Sequence, residues 1–223
     1  MTKSEQAVEV TPMDPAAAVP NLRATLLRVA WLSILLGFAM EALILLLAAG
    51  VANVPSLKPI VADLVQKVSW SVFVCVGLAI GTAASKARAP VMGLMGLLSA
   101  PLAFNAARFL HKSAAHALAI AGPAVSGPSP YLLGLIKGAE YGCLGSVLGW
   151  LGRRPWGGAV AHIGAGLGVG LLFGGVVLAL TAMAAPSPLS PAALLVRGVN
   201  EVLFPVGCSL VLYAAETLGK RVE

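Results

Sequence analysis

The 223-residue chain has little charge: Asp, Glu, Lys and Arg together make up 11% of it. A soluble domain carries about a quarter charged residues, and so few polar groups cannot cover a water-soluble globule of this size. The scarcity also excludes a disordered chain, a coiled coil and a nucleic-acid binder built on a basic surface. Cysteine is equally sparse. Three residues, an odd number set inside apolar runs, make no disulfide framework. The sequence holds no nucleotide-binding loop, nucleophile elbow or metalloprotease helix. His111, His116 and His162 fall at no recognisable ligand spacing. Neither an enzyme nor a metal or other cofactor is therefore expected.

What the chain does have is hydrophobicity: 58% apolar residues and a mean hydropathy of +0.90. Crossing ~30 Å of hydrocarbon takes about 20 apolar residues at ~1.5 Å each. Six runs qualify, roughly 29–50, 68–85, 90–110, 131–151, 158–184 and 192–215. They predict an all-α polytopic membrane protein: a polar cytoplasmic tail over 1–24 and one six-helix transmembrane domain over 25–223. Ala48-Ala49-Gly50-Val51-Ala52 offers small residues for signal-peptide cleavage, but the apolar run before it exceeds the usual ~7–15 residues. Span three carries Pro101, Asn105 and Arg108, so it is expected to run longer than drawn or to kink at Pro101.

The loops orient the chain. Lys3, Arg23 and Arg28 precede span one, Lys86 and Arg88 follow span two, Arg153 and Arg154 follow span four, and Lys220 and Arg221 follow span six. The opposite connections, Asn53 to Ser56, Gly122 to Pro130 and Ala185 to Pro188, are Pro-rich and nearly neutral. Positive-inside bias then puts both termini in the cytoplasm, as in a bacterial-type inner (plasma) membrane. Arg108 and Lys112, at the outer end of span three, run against the bias. The net charge of +6 is thus a topology signal, and nucleic acid is not needed to explain it.

Even-numbered spans share a weak pattern at their outer ends. Leu135-Ile136-Lys137-Gly138-Ala139 can be laid on Leu195-Val196-Arg197-Gly198-Val199, and Leu64-Val65-Gln66-Lys67-Val68 enters span two similarly. Each even span also holds one cysteine, Cys75, Cys143 or Cys208. Three helical hairpins of like orientation would be parallel repeats. The alternative is chance likeness in apolar sequence, where outward-starting helices open with a snorkelling Lys or Arg. The Pro-x-acidic-x-x-basic signature of the mitochondrial carriers, another three-hairpin family, is missing from spans one, three and five.

Glycine carries the clearest packing signal. Gly134, Gly138, Gly142, Gly145, Gly149 and Gly152 recur every three or four residues, one narrow stripe down span four. Span five has Gly164, Gly166, Gly168, Gly170, Gly174 and Gly175. Small stripes let membrane helices approach closely, which predicts a tight four–five hairpin, with a homodimer seam as the alternative. Trp31, Trp70, Trp150 and Trp156 read as interfacial anchors. The cysteines read as small core residues.

Ionisable residues inside the hydrocarbon are the sharpest signal, because each costs about 2.5–3.5 kcal/mol at helix centre on insertion scales. Glu41 lies near the middle of span one, and Glu140 and Glu201 lie roughly 15 Å from the outer ends of spans four and six. Lys137 and Glu140 are i,i+3 and Arg197 and Glu201 are i,i+4, spacings that place side chains together, with Asn200 beside them. Glu41 has no local partner, so Arg108 or another helix must supply one. On the helical wheel Glu140 points about 160° from the glycine stripe, so span four is expected to be central and contacted on two sides.

Two functions follow. In the first, a small transporter or channel-like protein, Glu41, Glu140, Glu201, Lys137, Arg197, Asn200 and Arg108 form a midplane charged site. In the second, a non-catalytic structural or assembly subunit of a larger membrane complex, the same charges are self-neutralising pairs that fix register or hold a partner. The expected partners are the lipid bilayer and either further copies of the chain or other membrane subunits.

Overall fold

The structure, a computed structural model, describes residues 15–50, 56–84, 86–120 and 127–220. Lys3 and Arg221 of the orienting set, and most of the neutral connections at 53–56 and 122–130, lie outside the described residues. Among the described residues six α-helices follow one another: α1 Pro15–Gly50, α2 Leu57–Ile80, α3 Arg88–Ala117, α4 Pro130–Leu151, α5 Ala159–Met183 and α6 Pro191–Lys220. A short 3-10 turn, Gly81–Ala83, extends α2. The chain is an all-α integral membrane protein.

Five helices among the described residues are long and apolar enough to span a bilayer: α1 from Leu22, α2 through Ala83, α3, α5, and α6 to Gly219. The fourth expected span forms a helix of 22 residues, enough to cross, yet it falls short in apolarity. Lys137, Glu140 and its glycines lower its hydropathy, and its packing explains why that is tolerated. α4 shows outward only a stripe that includes Tyr131, Leu132, Leu135 and Trp150, while Gly138, Glu140, Tyr141, Leu144 and Leu148 are buried. A helix shielded by its neighbours does not need a lipid-compatible circumference.

Every helix but α5 starts earlier than its apolar run, α1 and α2 by the most. α1 begins at Pro15 and α2 at Leu57, eleven residues before the expected 68. Helical propensity does not stop at a Lys, Gln or Ala-rich turn, whereas hydropathy does. α3 continues through Pro101 to Ala117, and the carbonyl of Pro101 accepts a bond from Asn105 Nδ2 at 2.9 Å.

Sequence neighbours pack together around the molecule, and α1 closes the ring against α6; α6 also reaches α2 and α4 across the interior. The glycine stripe of α4 packs on α3, not on α5, which corrects the expected four–five hairpin. A Cβ on Gly149 would lie 2.6 Å from Ala89 Cα, one on Gly138 3.1 Å from the Leu97 carbonyl oxygen, and one on Gly145 would strike the Met92 carbonyl. α3 answers with Gly93 and Gly96, which meet Ser146 and the Tyr141 carbonyl. Three of the α5 glycines, Gly166, Gly170 and Gly174, serve α6: Cβ atoms on Gly166 and Gly174 would come within 2.6 Å of Val206 Cα and 2.9 Å of Glu201 Cβ. A small-residue stripe says that a backbone comes close but not whose backbone it is.

Fully buried Val74, Cys75, Leu78, Met92, Tyr141, Leu144 and Cys208 fill the centre. Cys143 is the exception among the cysteines, exposed on the outer face of α4. Trp70 is also corrected: it sits in the core, ring edges meeting Tyr141 at 5.5 Å and Phe104 at 6.3 Å. Trp31, Trp150 and Trp156 are exposed, as interfacial anchors require.

Candidate functional site

Two ionic clusters lie at one level of the bundle, on the side where α1 ends and α2, α4 and α6 begin. Glu41 is nine residues from the end of α1, and Lys67, Glu140 and Glu201 are each ten from the start of their helices. All four thus stand about 13–15 Å in from the helix ends.

The first cluster joins α1 to α2. Lys67 Nζ donates to Glu41 Oε2 at 2.5 Å. Close backbone approach allows this, since Gly37 faces Val68 and Ser71 Oγ donates to the Ser33 carbonyl at 2.6 Å. The expected partner Arg108 is elsewhere, with its guanidinium 5.4 Å from the Phe104 ring centroid. Sequence reasoning missed Lys67 as a partner, because a snorkelling lysine and a buried one look alike at the start of a helix.

The second cluster joins α4 to α6. Lys137 Nζ donates to Glu140 Oε2 at 2.7 Å and to Glu201 Oε2 at 2.5 Å. The i,i+3 pair expected on α4 is present, and one ammonium holds two carboxylates. The i,i+4 pair expected on α6 is not formed: Glu201 turns to Lys137 and leaves Arg197 without an ion-pair partner among the described residues. Gly174 clears the space that lets α5 lie against Glu201. Glu140 is fully buried, and its Oε1 has no hydrogen-bond partner among the described residues; the same holds for Asn200 Oδ1.

Between the clusters lies a cavity of about 400 Å³. Asp63, Thr181 and Val196 line it near the helix ends, and Trp70, Lys137, Glu201 and Phe204 line it further in. Lys67, Arg197, Asn200, Gln66 and Phe104 complete its character. The basic residues of the weak pattern on the even helices, Lys67, Lys137 and Arg197, therefore meet on one cavity. Glu41 and Glu140 stand behind it as partners of its lysines. Asp63, Trp70, Phe104 and Phe204 were not singled out as site residues, since an aromatic or a helix-entry carboxylate gives no signal by spacing.

At the other end of the bundle Arg88 of α3 pairs with Glu216 of α6. His162, buried near the start of α5, stacks with Tyr213 at a centroid separation of 5.0 Å, and no cluster of metal-ligating side chains occurs among the described residues. Arg153 donates to the Lys86 carbonyl and Arg28 reaches Gly219, which brings these basic residues to the same end.

Compared with protein-family models, curated proteins and solved structures, the chain matches none. Function has to be read from the site itself.

Proposed function

We propose that the chain is a small transporter or channel-like protein, and that the cavity between α2, α4 and α6 is its solute site. The carrying observation is the placement of Lys67, Lys137, Arg197, Glu201 and Asn200 on one cavity that reaches in from the helix ends. Charged groups at this depth are costly unless they are paired or wet, and a membrane protein that merely fills space has little reason to hold them there. A ligand site combines a mainly apolar lining with a few convergent polar groups, at volumes of roughly 300–1,000 Å³. The end bearing Lys86, Arg88, Arg153 and Arg154 faces the cytoplasm by positive-inside bias, so the cavity opens outward and both termini lie inside. α4 serves as a sixth span. The chain contains no ATP-hydrolysing motif, so uphill transport draws on an ion gradient or a partner ATPase.

Counterflow in proteoliposomes preloaded in turn with labelled zwitterionic, anionic and cationic solutes tests this. One class should exchange, and Glu201→Gln should slow it at least tenfold. Exchange of none of them by folded protein, or exchange indifferent to both Glu201→Gln and Glu140→Gln, would sink the transport site.

A second reading, a subunit of a larger membrane complex, draws on one observation. Gly164, Gly168 and Gly175 share a face of α5 with nothing within 4 Å of their Cβ positions. A stoichiometric partner in the native mass of gently solubilised protein, lost on Gly168→Leu, would favour that reading over an autonomous transporter.

A further inference from the structure

Three cations, Lys67, Lys137 and Arg197, and four carboxylates, Glu41, Asp63, Glu140 and Glu201, line the cavity or stand behind it, and Asp63 lies 3.5 Å from His111 Nδ1. Lys67 is matched by Glu41, while Lys137 serves both Glu140 and Glu201. Carboxylate is therefore in excess at Glu201, which faces the cavity with one oxygen on Lys137 and is 20% exposed. Arg197 carries the matching surplus of positive charge. It lines the same cavity and has no carboxylate partner among the described residues. Arg197 and Glu201 stand one turn apart on α6, so about 5–6 Å separates their Cβ atoms. Within one helix turn the cavity thus offers a cation without an ion-pair partner among the described residues and a carboxylate with only one oxygen engaged, by Lys137. Asn200, on the same stretch of α6, also lines the cavity and has a buried carbonyl oxygen to which nothing among the described residues donates. Trp70 of α2 and Phe104 of α3 line the same cavity from other helices, and Phe204 stands one turn further along α6, so the deeper lining is apolar.

We propose that the cavity binds a zwitterionic α-amino carboxylate with an apolar side chain. Its carboxylate accepts from the Arg197 guanidinium, its ammonium donates to Glu201 and Asn200 Oδ1, and its side chain lies against Trp70 and Phe104. A planar guanidinium suits a carboxylate through paired N–H donors, which a lysine cannot reproduce. An ammonium donor would satisfy a buried acceptor that is otherwise costly to leave unpaired. A simple anion would leave Glu201 and Asn200 unanswered, and a simple amine would leave Arg197 unanswered. A zwitterion answers all of them and brings no net charge into the membrane.

The proposal rests on the transport-site reading of this cavity, and three related probes separate the two. Calorimetry on the full chain in nanodiscs would compare L-phenylalanine with phenethylamine, which lacks the carboxylate, and with 3-phenylpropionate, which lacks the ammonium. L-Phenylalanine should bind at least tenfold more tightly than either. Arg197→Gln should weaken L-phenylalanine and phenylpropionate at least tenfold while leaving phenethylamine within about twofold, and Arg197→Lys should restore only part of the loss. Arg197 is exposed and has no ion-pair or hydrogen-bond partner among the described residues, so neither change should unfold the protein. Equal or tighter binding of the amine or the acid overturns the zwitterion and leaves a solute site of another class. Binding of none of the three overturns it too. In that case, labelling of Asn200→Cys by a water-soluble thiosulfonate decides whether a wet cavity survives; its failure removes the transport-site reading as well.

Discussion

Lys137 is the residue on which the interior depends most. Its ammonium holds Glu140 of its own helix and Glu201 of α6. Removing one partner of a buried ion pair costs about 3–5 kcal/mol, because the other charge is left without compensation. Lys137→Met leaves two carboxylates facing each other, so it should lower the thermal unfolding midpoint in detergent far more than Glu140→Gln. The milder variant keeps the Lys137–Glu201 bond and removes a carboxylate whose Oε1 is already unpartnered. The double variant Lys137→Met with Glu140→Gln should be more stable than Lys137→Met alone, since only Glu201 then stays unpaired, beside a cavity that water can enter. Equal midpoints for the two single variants would mean that the ammonium does not hold these helices together. The partner choice itself was half legible. Spacing identifies Lys137 with Glu140, but Glu201 lies 64 residues along the chain from Lys137, a separation no local rule bridges.

At the scale of the helix, two kinds of glycine share the same sequence spacing and have opposite surroundings. Gly149 faces Ala89 backbone, whereas nothing lies within 4 Å of the Cβ position of Gly168. Gly149→Ala should therefore force α3 and α4 apart and destabilise by about 1–3 kcal/mol, the usual cost of overpacking. Gly168→Ala should be neutral or stabilising by up to about 1 kcal/mol, the difference in helix propensity. Thermal unfolding of the two variants side by side checks this, and equal sensitivity would show that the α3–α4 seam is looser than described. The same contrast shows why hydropathy read the helices but not their partners. Six helices were legible because burial in lipid selects long apolar runs. That α4 packs on α3, and α5 on α6, depends on which backbone meets each stripe. Trp70 was read as an anchor for a related reason. Lys58, Asp63, Gln66 and Lys67 depress the hydropathy of the first turns of α2, so the apolar run begins beside Trp70 although the helix starts thirteen residues earlier, at Leu57. Three of those four polar residues line the cavity; the feature that hid the helix start belongs to the site.

Taken as a whole, the bundle has a cavity of about 400 Å³ at one end and a smaller one of about 270 Å³ at the basic end, lined by His162, Tyr213, Glu216 and Thr217, with a fully buried layer between them. The larger cavity runs in as far as Trp70, Lys137 and Phe204. Beyond it Cys75, Leu78, Tyr141, Leu144 and Cys208 are fully buried, and the Arg88–Glu216 pair ties α3 to α6 further on. Water reaching Asp63 should therefore not reach the layer holding Cys75 and Cys208. On the proposed orientation, with Lys86, Arg88, Arg153 and Arg154 facing the cytoplasm, the end with the larger cavity faces outward. In a Cys143→Ser background, a membrane-impermeant maleimide added to intact bacterial cells expressing the chain should label Asp63→Cys. It should label Thr217→Cys only after the cells are opened, since Thr217 neighbours Glu216 at the basic end. Cys75 and Cys208 should resist in both cases. Labelling of Thr217→Cys from outside would invert the orientation. Labelling of Cys75 or Cys208 from the cavity side would show that the seal is open and that the bundle forms a pore. The two alternatives in the functional reading thus part at this layer: a channel needs it continuously wet, whereas a transporter needs it dry whenever the outer cavity is open.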